Sequence, residues 1–382
     1  MKGYQFEDTQ GTFHLKKAEN ISYLYFPIAG EAGLKSSFTP NLGGDAKIDQ
    51  NTFLLEPVSA ENLVNNRNSR NFWCNVKGIG SWSLTGHSAE ELSKKFTEMQ
   101  DDSEVTAGFM WQKTTRESKK YQLRGEILSF IPVDKNVEIM LVTITNTGRM
   151  AQTVTPTAAI PLYGRSADNI RDHRHVTSLL HRIETTDTGV LVTPTLSFDE
   201  RGHQVNHMTY YCVGWSGNGE KPVDFYPTAE DFVGEGGNFE RPYAIVKNAE
   251  GVKAGTKIEG LEAVGGLHFS EITLEPEEEC SYLIFTGITE DIQEIRNLSK
   301  TYTTREKVLE ELEKTKAYWQ EKVNVAYHTG DSDFNQFMHW VSFQPILRRI
   351  YGCSFLPHHD YGKGGRGWRD LWQDCLALLI MN

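Results

Sequence analysis

The sequence predicts a chain that is mainly β and then α: a large antiparallel β-sandwich followed by helices. Three observations carry this. From about residue 11 to 286, short β-branched runs alternate with Gly, Pro, Asn and Asp turns, the pattern of a sandwich and not of βαβ units. After Gly287 the apolar spacing changes from strand to helix. After Asp331 the helical segments turn apolar on nearly all sides, as helices buried among other helices do. No repeat of fixed period and no low-complexity tract interrupts this order.

The β part is clearest in three runs. VEIMLVTITNTG (137–148) is β-branched and closed by an Asn-Thr-Gly turn, and ECSYLIFTG (279–287) is a second strand. GVLVTPTLSFDERG (189–202) reads as a third, ending at an acidic, glycine-containing turn. The α part opens with EDIQEIRNLSKTY and TTREKVLEELEKTKAYWQEKV. In the second, Thr303 and Glu306 have capping-box spacing. Val308, Leu312, Thr315 and Trp319 then share one face, opposite Lys and Glu, so this helix packs as a single layer on something else.

DSDFNQFMHWVSFQPILRRIYG follows, with Phe334, Phe337, Met338, Trp340, Val341, Phe343, Ile346, Leu347 and Ile350 around its axis. Pro345 removes one backbone donor there, which predicts a kink. After a loop, Asp370 and Gln373 have Asp-x-x-Gln cap spacing for a last apolar helix. Two apolar helices cannot bury themselves, and only about 50 residues follow Asp331, fewer than an ordinary domain. The expected organisation is therefore a sandwich over 1–288, a helical linker over 289–328, and the start of a truncated helical domain over 329–382.

Charge excludes some partners. Asp and Glu number 51 against 39 Lys and Arg, a net charge of −12, which disfavours nucleic acid and anionic membranes. No window approaches the ~18 apolar residues of a membrane span. The N-terminus MKGYQFEDTQGTFHLKK has no apolar core of a signal peptide. Five scattered cysteines without a Cys-x-x-Cys pair suit free thiols in a reducing compartment, so a cytoplasmic location is expected. Aromatic residues make up 11% of the chain; large cores explain this, and so do surfaces that stack on sugar rings.

Several stretches resemble the cellobiose phosphorylase family, glycoside hydrolase family 94. YFPIAGEAGLKSSFTPNLGGD, QNTFLLEPVSAENL, NSRNFW and TPTAAIPLYGRSADNIRDHRHVTSLLHR are similar to its N-terminal sandwich. HWVSFQPILRR and GRGWRDLWQDCLAL are similar to the opening of its (α/α)6 barrel, with the Arg-Asp-x-x-Gln-Asp element at Arg369-Asp370-Leu371-Trp372-Gln373-Asp374. The resemblance implies a super-sandwich, a helical linker and the first helices of an incomplete barrel. It also implies an inverting phosphorolysis of a β-glucosidic disaccharide or oligosaccharide, giving α-glucose 1-phosphate. Inorganic phosphate is the co-substrate and no cofactor or metal is needed; the family is commonly dimeric, so a homodimer is expected.

Inverting cleavage needs one acid to protonate the leaving oxygen and a nucleophile on the opposite face. Phosphate is already an anion, so a phosphorylase can dispense with a base and needs a cationic pocket instead. The family's acid lies in a Gly-Asp-Trp-Asn-Asp-like motif, which does not occur here. No catalytic residue is therefore expected in these 382 residues; the general acid would lie downstream. Arg369 and Asp370 match the glucose-holding pair, since a carboxylate accepts from adjacent hydroxyls and a guanidinium donates in a fixed fork. Apart from the resemblance, Asp370 is readable as an N-cap and Arg369 as a surface ion pair. Arg366 matches a second arginine of that subsite, with Lys363 the alternative. Gln373 and Asp374 lie one turn on, and Asp374 is either a brace behind Arg369 or a buried structural carboxylate. Trp368 and Trp372 are readable as sugar platforms or as core.

PHHD (357–360) and RDHRH (171–175) bring histidines together but lack the spaced ligand set of a zinc site. GKGGRG lacks the Gly-Lys-Ser/Thr ending of a phosphate loop. Two other readings stand beside the phosphorylase: a non-catalytic β-glucan-binding protein that kept the sandwich, and a fragment of a glucoamylase-like hydrolase.

Overall fold

The computed structural model describes residues 3–21, 24–59, 62–63, 69–199, 202–352 and 367–381. Their centre is an eleven-stranded antiparallel sheet. In spatial order its strands are Tyr4–Phe6, Phe13–Lys16, Asp102–Gly108, Trp111–Ser118, Leu123–Phe130, Val137–Asn146, Glu279–Thr289, Thr209–Ser216, Gly189–Val192, Arg182–Thr185 and Lys257–Glu259. A second sheet faces it, ordered Asp224–Thr228, Ala263–His268, Gln152–Leu162, Asn71–Val76 and Gly80–Ser83, with Ile272–Leu274 also pairing with Gln152–Leu162. The interface between them holds Phe72, Val142, Ile144, Leu267 and Ile284, all buried. This is the large antiparallel sandwich that the strand runs predict.

Val137–Asn146 shows why those runs lack polar alternation. Met140, Val142 and Ile144 face the second sheet. Ile139 and Leu141 face the other way, into a second core with Val213, Leu283 and Phe285. A strand covered on both faces is apolar throughout. The cover on the outer side is helical. We label the four long helices α1 (Ile292–Thr301), α2 (Arg305–Lys322), α3 (Ser332–Tyr351) and α4 (Trp368–Met381). Ile295 and Leu298 of α1 and Val308 and Leu312 of α2 close that second core.

The buried residues of α2 are Val308, Leu312, Thr315 and Trp319, the face read from the spacing. Its cap lies one residue later than expected: Thr304, not Thr303, is the N-cap, and it makes no side-chain cap bond. The Thr304 hydroxyl instead bonds to the Glu306 carboxylate and holds it below its usual range. The run 189–202 is not one strand. It divides into Gly189–Val192 in the large sheet and Leu196–Asp199 in a separate hairpin. Pro194 between them has no N–H for a ladder, and Thr193 and Thr195 donate to Arg182 and Leu180 instead.

A four-stranded sheet, Phe26–Ala29, Lys35–Phe38, Gly44–Asp49 and Thr52–Leu55, completes the sandwich. A buried ion pair ties it to the large sheet. Arg70 and Glu138 are both 0% exposed. Arg70 donates to both Glu138 oxygens and to the carbonyls of Leu42, Gly44 and Asp45, and Ser36 donates to Glu138. A buried pair persists only when its remaining donors and acceptors are met in this way.

Candidate functional site

The Arg-Asp-x-x-Gln-Asp element lies on α4, whose placement depends on α3. Asp331 caps α3 by accepting from the Phe334 N–H at 3.1 Å. The helix then runs unbroken through Pro345. One face docks on the sandwich edge. Trp340 donates from Nε1 to the Gly11 carbonyl at 2.7 Å, and its ring meets Phe13, Phe26 and Phe109. Phe343 stacks on Phe109 with ring centroids 4.5 Å apart. At the C-terminal end Arg349 grips Glu31 with two bonds of 2.9 and 2.6 Å, and Tyr351 Oη lies 2.8 and 2.6 Å from the carbonyls of Ile28 and Ser36. Partial burial pushes Glu31 up, but the Arg349 bonds outweigh it and hold the carboxyl below its usual range.

Only part of α3 is covered. Phe343, Ile346 and Leu347 are buried, while Phe334, Phe337 and Val341 are exposed. The all-round apolar pattern is thus matched to burial on one side within the described residues. The helix α4 lies against α3 through Leu378 and Met381, which join Trp319, Val323 and Phe343 in one core. Its other face shows Trp372, Leu376, Leu379 and Ile380 to solvent.

A cleft of ≈ 430 Å³ opens between α3, α4 and the segment before α3. Asp370, Gln373 and Asp374 line it from α4, Ser342 and Arg348 from α3, and Tyr327 from the segment between α2 and α3. The Tyr327 and Ser342 hydroxyls are 2.8 Å apart. Asp374 is buried, and its Oδ2 lies 3.0 Å from Arg348 Nε, close in distance but off the N–H direction. The described ion-pair partner of Arg369 is its neighbour Asp370, with Nε to Oδ1 at 3.6 Å.

Asp370 is not an N-cap. The helix starts two residues earlier, at Trp368, because the Gly367 carbonyl accepts from the Leu371 N–H at 3.0 Å. Asp370 therefore sits in the first turn, with a side chain 55% exposed at the cleft. Arg369 is 85% exposed. Trp368 and Trp372 are exposed and form no core here. Arg366, Lys363 and the PHHD histidines lie outside the described residues.

His173 and His175 flank the start of a helical turn, Arg174–Thr177, with ring centroids 5.5 Å apart. Among the described residues no group of three or more His, Cys, Asp or Glu is placed to hold a metal. Sequence reading missed Arg348, Tyr327 and Ser342. An arginine inside the apolar run of α3 was a usable signal, since a charge there needs a buried partner or a wet cleft.

With this architecture in place, the family follows from direct comparison. The model of the glycosyl hydrolase 94 supersandwich domain matches residues 55–305, and the chain belongs to that family. No curated protein matches this chain. Among solved structures, it is similar to a bacterial glucoamylase complexed with acarbose (TM-score 0.41, 9% identity, 88% of this chain and 40% of that one). It is also similar to the α-mannosidase BT3965 from Bacteroides thetaiotaomicron (0.41, 12%, 85% and 38%). A putative aldose 1-epimerase from Escherichia coli K12 matches at 0.37 and 9%, over 70% of this chain and 99% of that one. The chain thus spans 40% and 38% of the glucoamylase and the mannosidase. No helix among the described residues is long and apolar enough to cross a membrane.

Proposed function

We propose that this chain is the N-terminal part of an inverting carbohydrate phosphorylase. It would cleave a β-glucosidic disaccharide or oligosaccharide with inorganic phosphate to give α-glucose 1-phosphate. The observation that carries the reading is the position of the Arg-Asp-x-x-Gln-Asp element in a chain of this family. Its two carboxylates and its amide line one cleft beside an arginine and a tyrosine. That set accepts from and donates to sugar hydroxyls together.

On this reading Asp370 and Arg369 hold the glucose unit whose bond is broken. Gln373 and Asp374 support them, and Arg348 orients Asp374 from α3. Arg366 is the second arginine of the subsite. The proton donor and the phosphate pocket belong to sequence that follows Asn382, and the working protein is a dimer. The exposed apolar side of α3 and α4 fits this, because the remaining barrel helices would cover it.

The test is an assay of the full-length gene product on a panel of β-linked gluco-disaccharides, with and without phosphate. Glucose 1-phosphate release that requires phosphate supports the reading. Glucose release independent of phosphate points to a hydrolase. Saturable binding without turnover points to a β-glucan-binding protein.

A further inference from the structure

A second cavity lies apart from the cleft at Asp370 and shares no lining residue with it. It has a volume of ≈ 240 Å³, between α1 and the outer face of the eleven-stranded sheet. Its apolar lining includes Tyr211 and Leu298, and its polar lining includes Asp134, Lys135, Glu294 and Asn297.

Tyr211 is the unusual member. It is 3% exposed and lines the cavity from the sheet side. Gly287 stands opposite it on the neighbouring strand. A Cβ at position 287 would come 2.4 Å from that hydroxyl oxygen, so only glycine leaves the phenol room. Burial, with the Glu294 charge next, raises its pKa, so the hydroxyl stays a donor. A phenol lining a cavity can donate to a ligand held there.

The other groups also have capacity to spare. Asn297 Oδ1 takes bonds from Gln293 and Lys300, which leaves the Nδ2 donors. Glu294 Oε2 accepts from Thr289 at 2.6 Å, which leaves Oε1 as an acceptor. Lys135 and Asp134 pair at 3.0 Å on the rim.

The chemistry narrows the ligand. Two carboxylates against one ammonium disfavour an anion. Donors and acceptors lining one cavity with Leu298 and an aromatic ring suit a neutral ring with hydroxyl edges and C–H faces. The volume falls below the about 300–1,000 Å³ of pockets for drug-sized ligands, so one ring fits and a chain does not. We propose that this cavity is a second carbohydrate site, for a single hexopyranose unit, distinct from the cleft at Asp370. The choice of a sugar over other neutral polyols rests on the family assignment, but the site does not depend on phosphorolysis.

The test uses the 382-residue chain and methyl β-glucopyranoside. Isothermal titration should show binding in the millimolar range, and amide exchange should slow over 134–137 and 292–301. Asn297→Trp, which fills the cavity from the exposed side of α1, should weaken binding at least tenfold. Tyr211→Phe should weaken it several-fold, with melting temperatures of both variants near that of the parent. Asp370→Asn should leave this protection in place. Absence of binding at about 50 mM sugar, far above the range of a weak specific site, overturns the proposal. So does binding that neither variant changes. Phosphorolysis by the full-length protein without sugar protection here would remove this site alone. Protection here without phosphorolysis would remove the phosphorylase reading alone.

Discussion

Asp370 lines the cleft but caps no helix. Asp-x-x-Gln spacing pointed to an N-cap, but nothing in Trp368-Arg369 resists helix, so α4 begins before it. A carboxylate in the first helical turn gains at most about 0.3–1 kcal/mol from the helix end, less when exposed. Asp370→Asn should therefore leave the melting temperature of the full-length protein unchanged. If Asp370 holds sugar hydroxyls, one or two charge-assisted bonds of about 1.5–3 kcal/mol are lost, and kcat/KM should fall roughly 10- to 10⁴-fold. Steady-state kinetics beside a thermal melt separates the two; unchanged kcat/KM would remove Asp370 from the site. His181 gives a second test at this scale. It is fully buried, with Nδ1 3.2 Å from the Leu261 carbonyl. Burial, and then the charge of Arg165, pushes its pKa from 6.5 down to about 3. The unfolded chain therefore binds a proton that the folded chain refuses. The stabilisation is complete above pH 6.5 and is lost as the pH falls towards 3, at up to about 1.4 kcal/mol per pH unit. His181→Gln should flatten that part of the stability–pH curve, measured by urea unfolding; an unchanged slope would contradict the assignment. Nothing in RDHRH or its surroundings signals this burial, because the cover comes from the 260–261 turn far along the chain.

At the scale of elements, legibility followed periodicity. The face of α2 was readable because four residues at helical spacing all reach one core. The strand at 137–146 was readable because both its faces are covered. The 189–202 run was misread where one proline outweighed the β-branched residues on each side of it. What α1 and α2 cover was not readable, since an amphipathic helix does not say which surface it meets. The structure supplies that surface: Ile139, Leu141 and Phe285 on the outside of the large sheet, with Ile295, Leu298, Val308 and Leu312 over them. A chain ending at residue 288 should therefore lose its cooperative melt and bind a hydrophobic dye. One ending at residue 328 should keep a cooperative transition. Equal stability of the two in differential scanning calorimetry would show that the helices add nothing to the sandwich.

At the scale of the molecule, the order of sandwich, helices and apolar helices was legible because each stretch keeps its own period. The joints between them were not. Arg70 and Glu138 lie 68 residues apart, and Glu31 and Arg349 lie 318 apart. No local pattern marks such partners, yet the first pair anchors the four-stranded sheet and the second sets α3 on it. That chain of contacts, from the buried ion pair through α3 to Arg348 and Asp374, positions the cleft. The family assignment gives the fold a carbohydrate-active setting, and the sugar-holding role of the cleft is the proposal made above. In the proposed reaction, attack by phosphate on the face opposite the leaving sugar would invert the anomeric carbon. Proton NMR of the full-length protein acting on a β-linked gluco-disaccharide in phosphate tests it directly. The expected first-formed product is α-glucose 1-phosphate, with none formed when phosphate is omitted. First-formed β-glucose 1-phosphate, or free glucose appearing at the same rate without phosphate, would contradict it.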